Sequence, residues 1–491
     1  MPVIPWSEWR PDVSDYQGNH SQLIKNVVPR ADGYGPFKDF AALTNTLPAA
    51  CRGYAVALDD DGSVVIFAGT ATKLYKLDNS DFTWDNVSKS SGAFDYAVPS
   101  TDQWQFAQFG TNLVATNSAN PVQVFALGSS SNFADLGGSP PQAKYVAVVN
   151  VYLVLSGLAS NPFRVQWSAN GDITGWTSGT NQAGQQDFPD GGIVRGSVGD
   201  DFGGLVFQDN AIRRMVLSPG SPIVFAFDRI SEDHGLGAPL SLIRSRGRVF
   251  FLGLSGFYEM QASGGDPQPI GKERFDRTFF ADWDDSAPQL MIGANDPNET
   301  RVMWAYKSVN GASDAFDRII LYDWVLKRAT LIDGISGQYI TSLAQPGQTL
   351  EGLDTPFPNL DTDVPVSLDE FQIAFARKVS IAGSTNSIGF FSGDELEATL
   401  ETPERSGEYR HSFIRAHRPL TDASNVVGAV GSRERIQDPR VWSAESALEP
   451  IGEIPHRVET RLFRFRNRIP AGEDWTFSIG VEPDIVPTGA R

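Results

Sequence analysis

The feature that most constrains this chain is a spacing. Short apolar runs of strand length recur in pairs, each pair broken by Gly, Asp, Asn or Ser. Val64–Phe67 is followed by Leu74–Leu77, Leu113–Thr116 by Val122–Phe125, and Tyr152–Leu155 by Phe163–Trp167. Leu205–Phe207 is followed by Ile212–Leu217, Val249–Leu252 by Gly256–Tyr258, and Val302–Trp304 by Ile319–Tyr322. The first members begin near residues 64, 113, 152, 205, 249 and 302, in steps of 49, 39, 53, 44 and 53. Their mean of about 48 matches the roughly 40–50 residues of a four-stranded propeller blade. One such sheet cannot bury both faces alone, so blades must stack round an axis. Two later hairpin candidates start near Tyr339 and Ile388, which gives six to eight blades, with seven expected. No Pro/Ser-rich or charged spacer separates the hairpins, which argues against a string of β-sandwiches.

Composition agrees with this fold. Forty-seven glycines and 31 prolines break helices and suit tight turns, and 31 phenylalanines suit pleated surfaces. The single cysteine, Cys51, excludes an intrachain disulfide and fits synthesis in a reducing cytoplasm. The N-terminus lacks the basic and apolar regions of a signal peptide, and no apolar run approaches membrane-helix length. A soluble protein without a membrane segment is expected.

The ends of the chain differ from its middle. Residues 1–50 read as an extended arm, 51–403 as the all-β propeller, and 404–491 as an additional β-sandwich-like domain. In the last, the alternation Val458–Arg466, the turn Ile469–Gly472 and the run Trp475–Ile479 predict a hairpin in a separate small sandwich. Residues 404–491 hold 13 Lys/Arg and 13 Asp/Glu, so the net charge of −19 lies wholly in residues 1–403. So acidic a chain argues against a protein that wraps nucleic acid, which needs cations against phosphate.

Catalytic signatures are scarce. The five histidines, His20, His234, His411, His417 and His456, have no metal-ligand spacing. There is no GxSxG elbow; Gly253-Leu254-Ser255-Gly256 reads as a hairpin turn. Gly271-Lys272-Glu273 is not a phosphate loop. Asp59-Asp60-Asp61-Gly62 reads as a turn before it reads as a calcium loop. Trp167–Asp172 with Trp176 is similar to the Asp-box turn of sialidase propellers, a structural element that implies no catalysis. The expectation is a non-enzyme with no cofactor, metal or catalytic residue.

An Arg stripe, Arg457, Arg461, Arg464, Arg466 and Arg468, has two readings. It is a solvated strand face paired to Glu453 and Glu459, or it is a contact with another subunit. A DNA-contact reading is weaker, since no aromatic stacking pattern accompanies it. With Tyr34 of the arm, these arginines are the candidate interface residues.

Several segments together resemble the tail nozzle, or tail tubular B-type, and packaged-DNA stabilisation proteins of short-tailed bacteriophages. They are Asn26–Arg30 with Gly33–Pro36, Leu74–Leu77 with Trp84, Trp104–Phe106 with Phe109-Gly110, and Ala115–Asn117. Val165–Ser168 with Gly175–Thr177, Phe250–Leu252 with Gly256–Tyr258, Pro269–Gly271 and Leu321–Trp324 continue the series. The resemblance runs from about residue 25 to the end and rests on order and spacing rather than on any one motif. It implies a β-propeller in a homohexameric ring below a portal-side adaptor ring, in contact with other tail proteins such as fibres or a needle. It implies transient contact with genomic DNA in the lumen, and residence in the virion tail after assembly in the host cytoplasm. Six copies would carry about −114 charges, and an acidic wall would repel phosphate rather than hold it. The arm and residues from about 400 onward are expected to face the adaptor as a platform. A glycan-binding or glycan-degrading tail propeller is the alternative, and it predicts paired carboxylates and aromatics at the axis. A cellular binding propeller, working as a monomer, is a third reading.

Overall fold

A computed structural model describes residues 3–14, 18–218, 220, 223–312, 314–344, 377–406 and 411–488. Among these residues the strands form seven four-stranded antiparallel blades round one axis. Blade 1 holds Tyr54–Leu58, Val64–Gly69, Leu74–Leu77 and Trp84–Asn86, and blade 2 holds Gln105–Phe109, Asn112–Thr116, Gln123–Ala126 and Ala134–Asp135. Blade 3 holds Ala143–Val149, Tyr152–Leu158, Arg164–Trp167 and Gly184–Asp187, and blade 4 holds Val194–Gly199, Gly203–Gln208, Ile212–Leu217 and Phe225–Ser231. Blade 5 holds Ile243–Ser245, Arg248–Gly253, Gly256–Gln261 and Gln268–Pro269. Blade 6 holds Ile292–Asn295, Arg301–Tyr306, Phe316–Asp323 and the first half of Arg328–Ala344. The first strand of each blade lies innermost.

The spacing that marks the repeat in the sequence belongs to the second strand of each blade. That strand is covered by a neighbouring blade on either face, so nearly all of its residues are buried and it reads as a continuous apolar run. Blade 7 is built differently. Its inner strand is the second half of Arg328–Ala344, followed by Arg377–Gly383 and Ile388–Glu395. The two late hairpin candidates, near Tyr339 and Ile388, are therefore strands one and three of a single blade. The outermost strand is Lys38–Ala42, from near the start of the chain, paired as Phe390 with Ala41 and Phe391 with Phe40. It satisfies the N–H and C=O groups that Ile388–Glu395 would otherwise leave open. A division at residue 50 thus separates this strand from the blade it completes.

Each blade is fastened to the next by an apolar cluster. Phe67 and Leu74 meet Leu113 and Phe125; Val154 and Trp167 meet Val206 and Phe225; Phe207 meets Phe251. Leu343, Ile388 and Phe390 of blade 7 meet Tyr54 and Ile66 of blade 1, and the ring closes. Each such buried aromatic or aliphatic side chain contributes about 1.5–3 kcal/mol by leaving water. At the first junction Trp104, fully buried, donates its indole N–H to the Thr70 carbonyl at 2.9 Å. A Cβ on Gly69 would lie 2.2 Å from Trp104 Cδ1, so this position has no room for a side chain.

The chain ends form a second body, the platform. One of its sheets runs Ile454–Thr460, Ser412–Thr421, Ser478–Pro487, Tyr34–Pro36, Val27–Pro29, with Ile4–Pro5 also on Ser478–Pro487. The other contains Ala398–Glu401, Leu462–Ile469 and Val427–Arg433. Ile24–Lys25 of the arm pairs with both Leu331 of blade 6 and Thr399–Leu400 of the platform. The second sheet is therefore continuous with blade 6, and the platform is not a separate sandwich. The expected C-terminal hairpin is also corrected. The chain changes sheets at Arg461, and Ser478–Pro487 pairs with Ser412–Thr421 instead of with Leu462–Ile469. A stretch of unbroken alternation thus supplies one strand to each layer of the sandwich, because both layers bury one face.

The arm is tied down along its length. Asp12 accepts the N–H groups of Arg277 and Thr278 at 2.7 and 2.9 Å, capping the short helix Asp276–Asp282 from outside. Glu8 pairs with Arg274, and Trp6 donates to Ser478 Oγ at 2.8 Å. No helix among the described residues is long and apolar enough to cross a membrane.

Candidate assembly interface

The Arg stripe resolves by strand alternation. On Leu462–Ile469, Phe463, Phe465, Asn467 and Ile469 are buried at alternate positions, and Arg464, Arg466 and Arg468 occupy the other face. Arg464, 1% exposed, donates to Glu401 at 2.9 Å, and Arg466 donates to the other oxygen of the same carboxylate at 2.6 Å. The Arg466 guanidinium lies over Trp442, 3.7 Å from the ring centroid. Arg468 joins Glu397 at 2.9 Å and Glu445 at 2.5 Å, and that bonding holds the Glu445 carboxyl below its usual range. Beside them, Glu404 is clasped by Arg433 and, at 2.8 Å, by Arg440. Glu453 and Glu459 serve other residues, Arg418 and Thr488.

Arg464 therefore has no surface to offer a partner, which corrects its place among the interface candidates. Tyr34 is corrected for the same reason. It is fully buried, its hydroxyl donates to the Ser7 carbonyl at 2.9 Å, and burial pushes that hydroxyl's pKa up. The guanidinium of Arg328 in blade 6 lies 5.8 Å from its ring centroid and donates to the Arg30 carbonyl at 3.0 Å. Arg30 and Tyr34–Pro36 thus form a tight hairpin inside the platform. Of the candidate residues, Arg457 is exposed, and the Arg461 side chain is 41% exposed with Glu434 at 3.8 Å.

Spacing along the chain missed Glu401, Glu404 and Trp442, because their partners lie on neighbouring strands. It also missed the buried pair His417 and His456, whose facing nitrogens lie 2.8 Å apart. Alternation would place His417 on the exposed face with Arg415; a bulge between Ile414 and Ala416 turns it inward, so the pair leaves no trace in the sequence.

At the ring axis, Gln103 leads into the inner strand of blade 2 and Gln289 into that of blade 6, on opposite sides of the ring. Gln103 Nε2 donates to the Gln289 carbonyl at 3.4 Å, so the two connections meet across the axis. The charged residues on the inner strands are cations: Lys144, Arg195 and Arg244 pair with Asp102, Asp209 and Asp200 at 3.2, 2.6 and 2.6 Å. Among the described residues the inner strands themselves carry no carboxylate, and the three beside them are engaged by these cations. Phe202, in the turn between the innermost and second strands of blade 4, is 88% exposed.

The remaining clusters behave as turns. Asp61 Oδ1 accepts the Ser63 N–H at 2.8 Å, and Gly62 takes a positive φ of 84°. Asp172 accepts both the N–H and the hydroxyl of Thr174, at 2.8 and 2.6 Å, and Trp176 donates to the Ile173 carbonyl at 2.7 Å. Leu254 and Ser255 form the turn between paired Gly253 and Gly256. Among the described residues, no three His, Cys, Asp or Glu side chains stand together as metal ligands.

No protein-family model matches the chain, and no curated protein does. Solved structures of similar fold include the extracellular domain of a hybrid two-component system from B. thetaiotaomicron, at 12% identity and a TM-score of 0.44 over 86% of this chain. The chain spans about half of that protein, 48% of its length. The WD40 domain of Neurospora crassa Pan2 gives 8% identity and a TM-score of 0.36, over 62% of this chain and 89% of that one. The N-terminal domain of Nup159 gives 11% identity and 0.39, over 74% and 97%.

Proposed function

We propose that this chain is a structural subunit of a short-tailed phage tail, a nozzle-type ring that retains packaged DNA and conducts it on ejection. The observation that carries this reading is that ring and platform are one hydrogen-bonded body. A continuous path of strands runs from Ile292–Asn295 at the axis, through Ile24–Lys25, to Leu462–Ile469 and Val427–Arg433. Such a body transmits force between its two ends without a hinge. The segments that resemble the nozzle family support the reading, since they fall at its junctions: Trp104 between blades 1 and 2, Trp167 between blades 3 and 4, Tyr34 at the arm.

The meeting of Gln103 and Gln289 across the axis bears on the route of DNA. A duct through a closed propeller would need that contact broken, so the lumen in this reading is formed between copies. The acidic blades are the surfaces that would line it and keep phosphate from adhering. Within the platform, exposed Arg457 and half-buried Arg461 beside Glu434 are the proposed contacts to the adaptor ring. The glycan-degrading alternative gains no support, because the carboxylates beside the inner strands are engaged by cations.

Negative-stain images of the purified protein, alone and with a portal–adaptor complex, test the proposal. Six-fold rings that dock on the adaptor are expected. Particles that stay monomeric and leave the adaptor bare would overturn it.

A further inference from the structure

The platform contains one buried titratable cluster that the proposed function leaves unused. His417, on Ser412–Thr421, is fully buried, and His456, on Ile454–Thr460, is 7% exposed. His417 Nδ1 lies 2.8 Å from His456 Nε2, and His417 Nε2 lies 2.7 Å from Asn467 Oδ1 on the opposite sheet. The two rings are parallel within 7°, with centroids 5.0 Å apart, and Phe465 packs on His417 at 4.9 Å. Gly428 brings backbone so near that a Cβ there would lie 2.6 Å from His417 Cε1.

The direction of these bonds follows from the partners. Asn467 Oδ1 accepts, so His417 Nε2 carries the proton, His417 Nδ1 accepts, and His456 Nε2 donates. Both rings are neutral in that arrangement. A further proton on His417 points two N–H groups at each other; one on His456 buries a charge. Charged groups on the surrounding strands are turned elsewhere. Arg415, Arg418, Arg457, Glu459, Glu482 and Asp484 are exposed. Arg464, Arg466 and Arg468 occupy the far face of their strand, engaged by Glu401, Glu397 and Glu445, and Arg433 is engaged by Glu404. No carboxylate among the described residues stands ready to compensate an imidazolium there.

We propose that His417, bonded to His456 within its own sheet and to Asn467 on the other, forms with them an acid-sensitive latch between the two sheets of the platform, closed while both rings are neutral and released when they take up protons.

Burial pushes His417 down to about 3, aided by the charge His456 would carry, and burial alone pushes His456 down to about 4, from 6.5. The unfolded chain therefore binds more protons than the folded one between about pH 4 and 6.5. The latch contributes fully above pH 6.5 and its contribution is lost as pH falls through that window.

Hydrogen exchange of the full-length protein across pH 4.5–7 tests this, with the strands of blades 2 and 3 as internal reference. Two protons predict that the platform's opening constant, relative to the blades, rises by up to about 100-fold per pH unit inside the window. His456→Gln keeps an Nε2 donor and removes one titrating ring, so the rise should fall to about 10-fold. Equal pH profiles for the two proteins would refute the latch. Should the variant not fold, imidazole proton resonances of the unmodified protein decide. Two rings that stay neutral to below pH 5 support the proposal, and rings that titrate near 6.5 in the folded protein overturn it.

Discussion

Ring and platform are both antiparallel β structure round apolar cores, yet they differ in the buried polar pairing added to those cores. The contacts between blades are apolar and aromatic, as at Phe207 and Phe251, whose rings lie 5.1 Å apart. The platform sandwich adds shared carboxylates and a histidine pair, with Glu401 and Glu404 each held by two arginines. A repeating unit has to tolerate a similar neighbour on each side, and apolar surface does this because it is non-directional. The platform is assembled once, from segments far apart in the chain. Directional polar pairs can fix which strand goes where, at a desolvation cost that only complete pairing offsets.

That contrast can be broken most strongly at Glu401. Glu401→Ala should cost about 3–5 kcal/mol, because it removes the buried carboxylate that Arg464 and Arg466 share. Urea unfolding followed by regional hydrogen exchange should find the loss in the platform while blades 1–4 keep their protection. Replacing Glu401, Arg464 and Arg466 together by apolar residues of similar volume should be near neutral in stability, which sharpens the claim that the cluster serves specificity. Loss comparable to the single variant would count against it.

In the ring, Phe207→Ala should also cost about 3–5 kcal/mol, from lost burial and the cavity left behind. Its exchange signature should be centred on blades 4 and 5. Gly69→Ala should cost about 1–3 kcal/mol by forcing Trp104 from its place, and its near-ultraviolet circular dichroism should change. An Ala accepted there without either effect would show that the junction is looser than its geometry. The smallest effect belongs to Arg457→Ala, expected within about 0.5 kcal/mol in stability. Under the nozzle proposal it nevertheless weakens docking to an adaptor ring, read by co-sedimentation.

The sequence disclosed the ring through its second strands. Val64–Gly69 and Tyr152–Leu158 are buried on both faces, so their apolar runs stand out at a regular interval. It did not disclose how the ring closes. Lys38–Ala42 is a polar-flanked outer strand with no alternation, and its partner lies at Ile388–Glu395, where no local rule can find it. The Arg stripe was visible as alternation, but its meaning depended on register. Glu401 faces Arg466 only because Ala398–Glu401 pairs with Leu462–Ile469 in one particular alignment. His417 and His456 lack any motif, because what unites them is the pairing of two strands of one sheet that lie far apart in the chain.

The strand Arg328–Ala344 has a mechanical consequence. For 17 residues it runs without a separate connecting loop, outermost in one blade and innermost in the next, bending at Gly334 where φ is 87°. It behaves as a rafter that crosses from rim to hub. A pull on the rim at Ile24–Lys25 is delivered along it to the hub of blade 7, whose outer edge is in turn fastened by the same arm through Lys38–Ala42. Blades 6 and 7 are therefore coupled through a single strand. Two segments of one arm, Ile24–Lys25 and Lys38–Ala42, thus brace the pair of blades that share this strand.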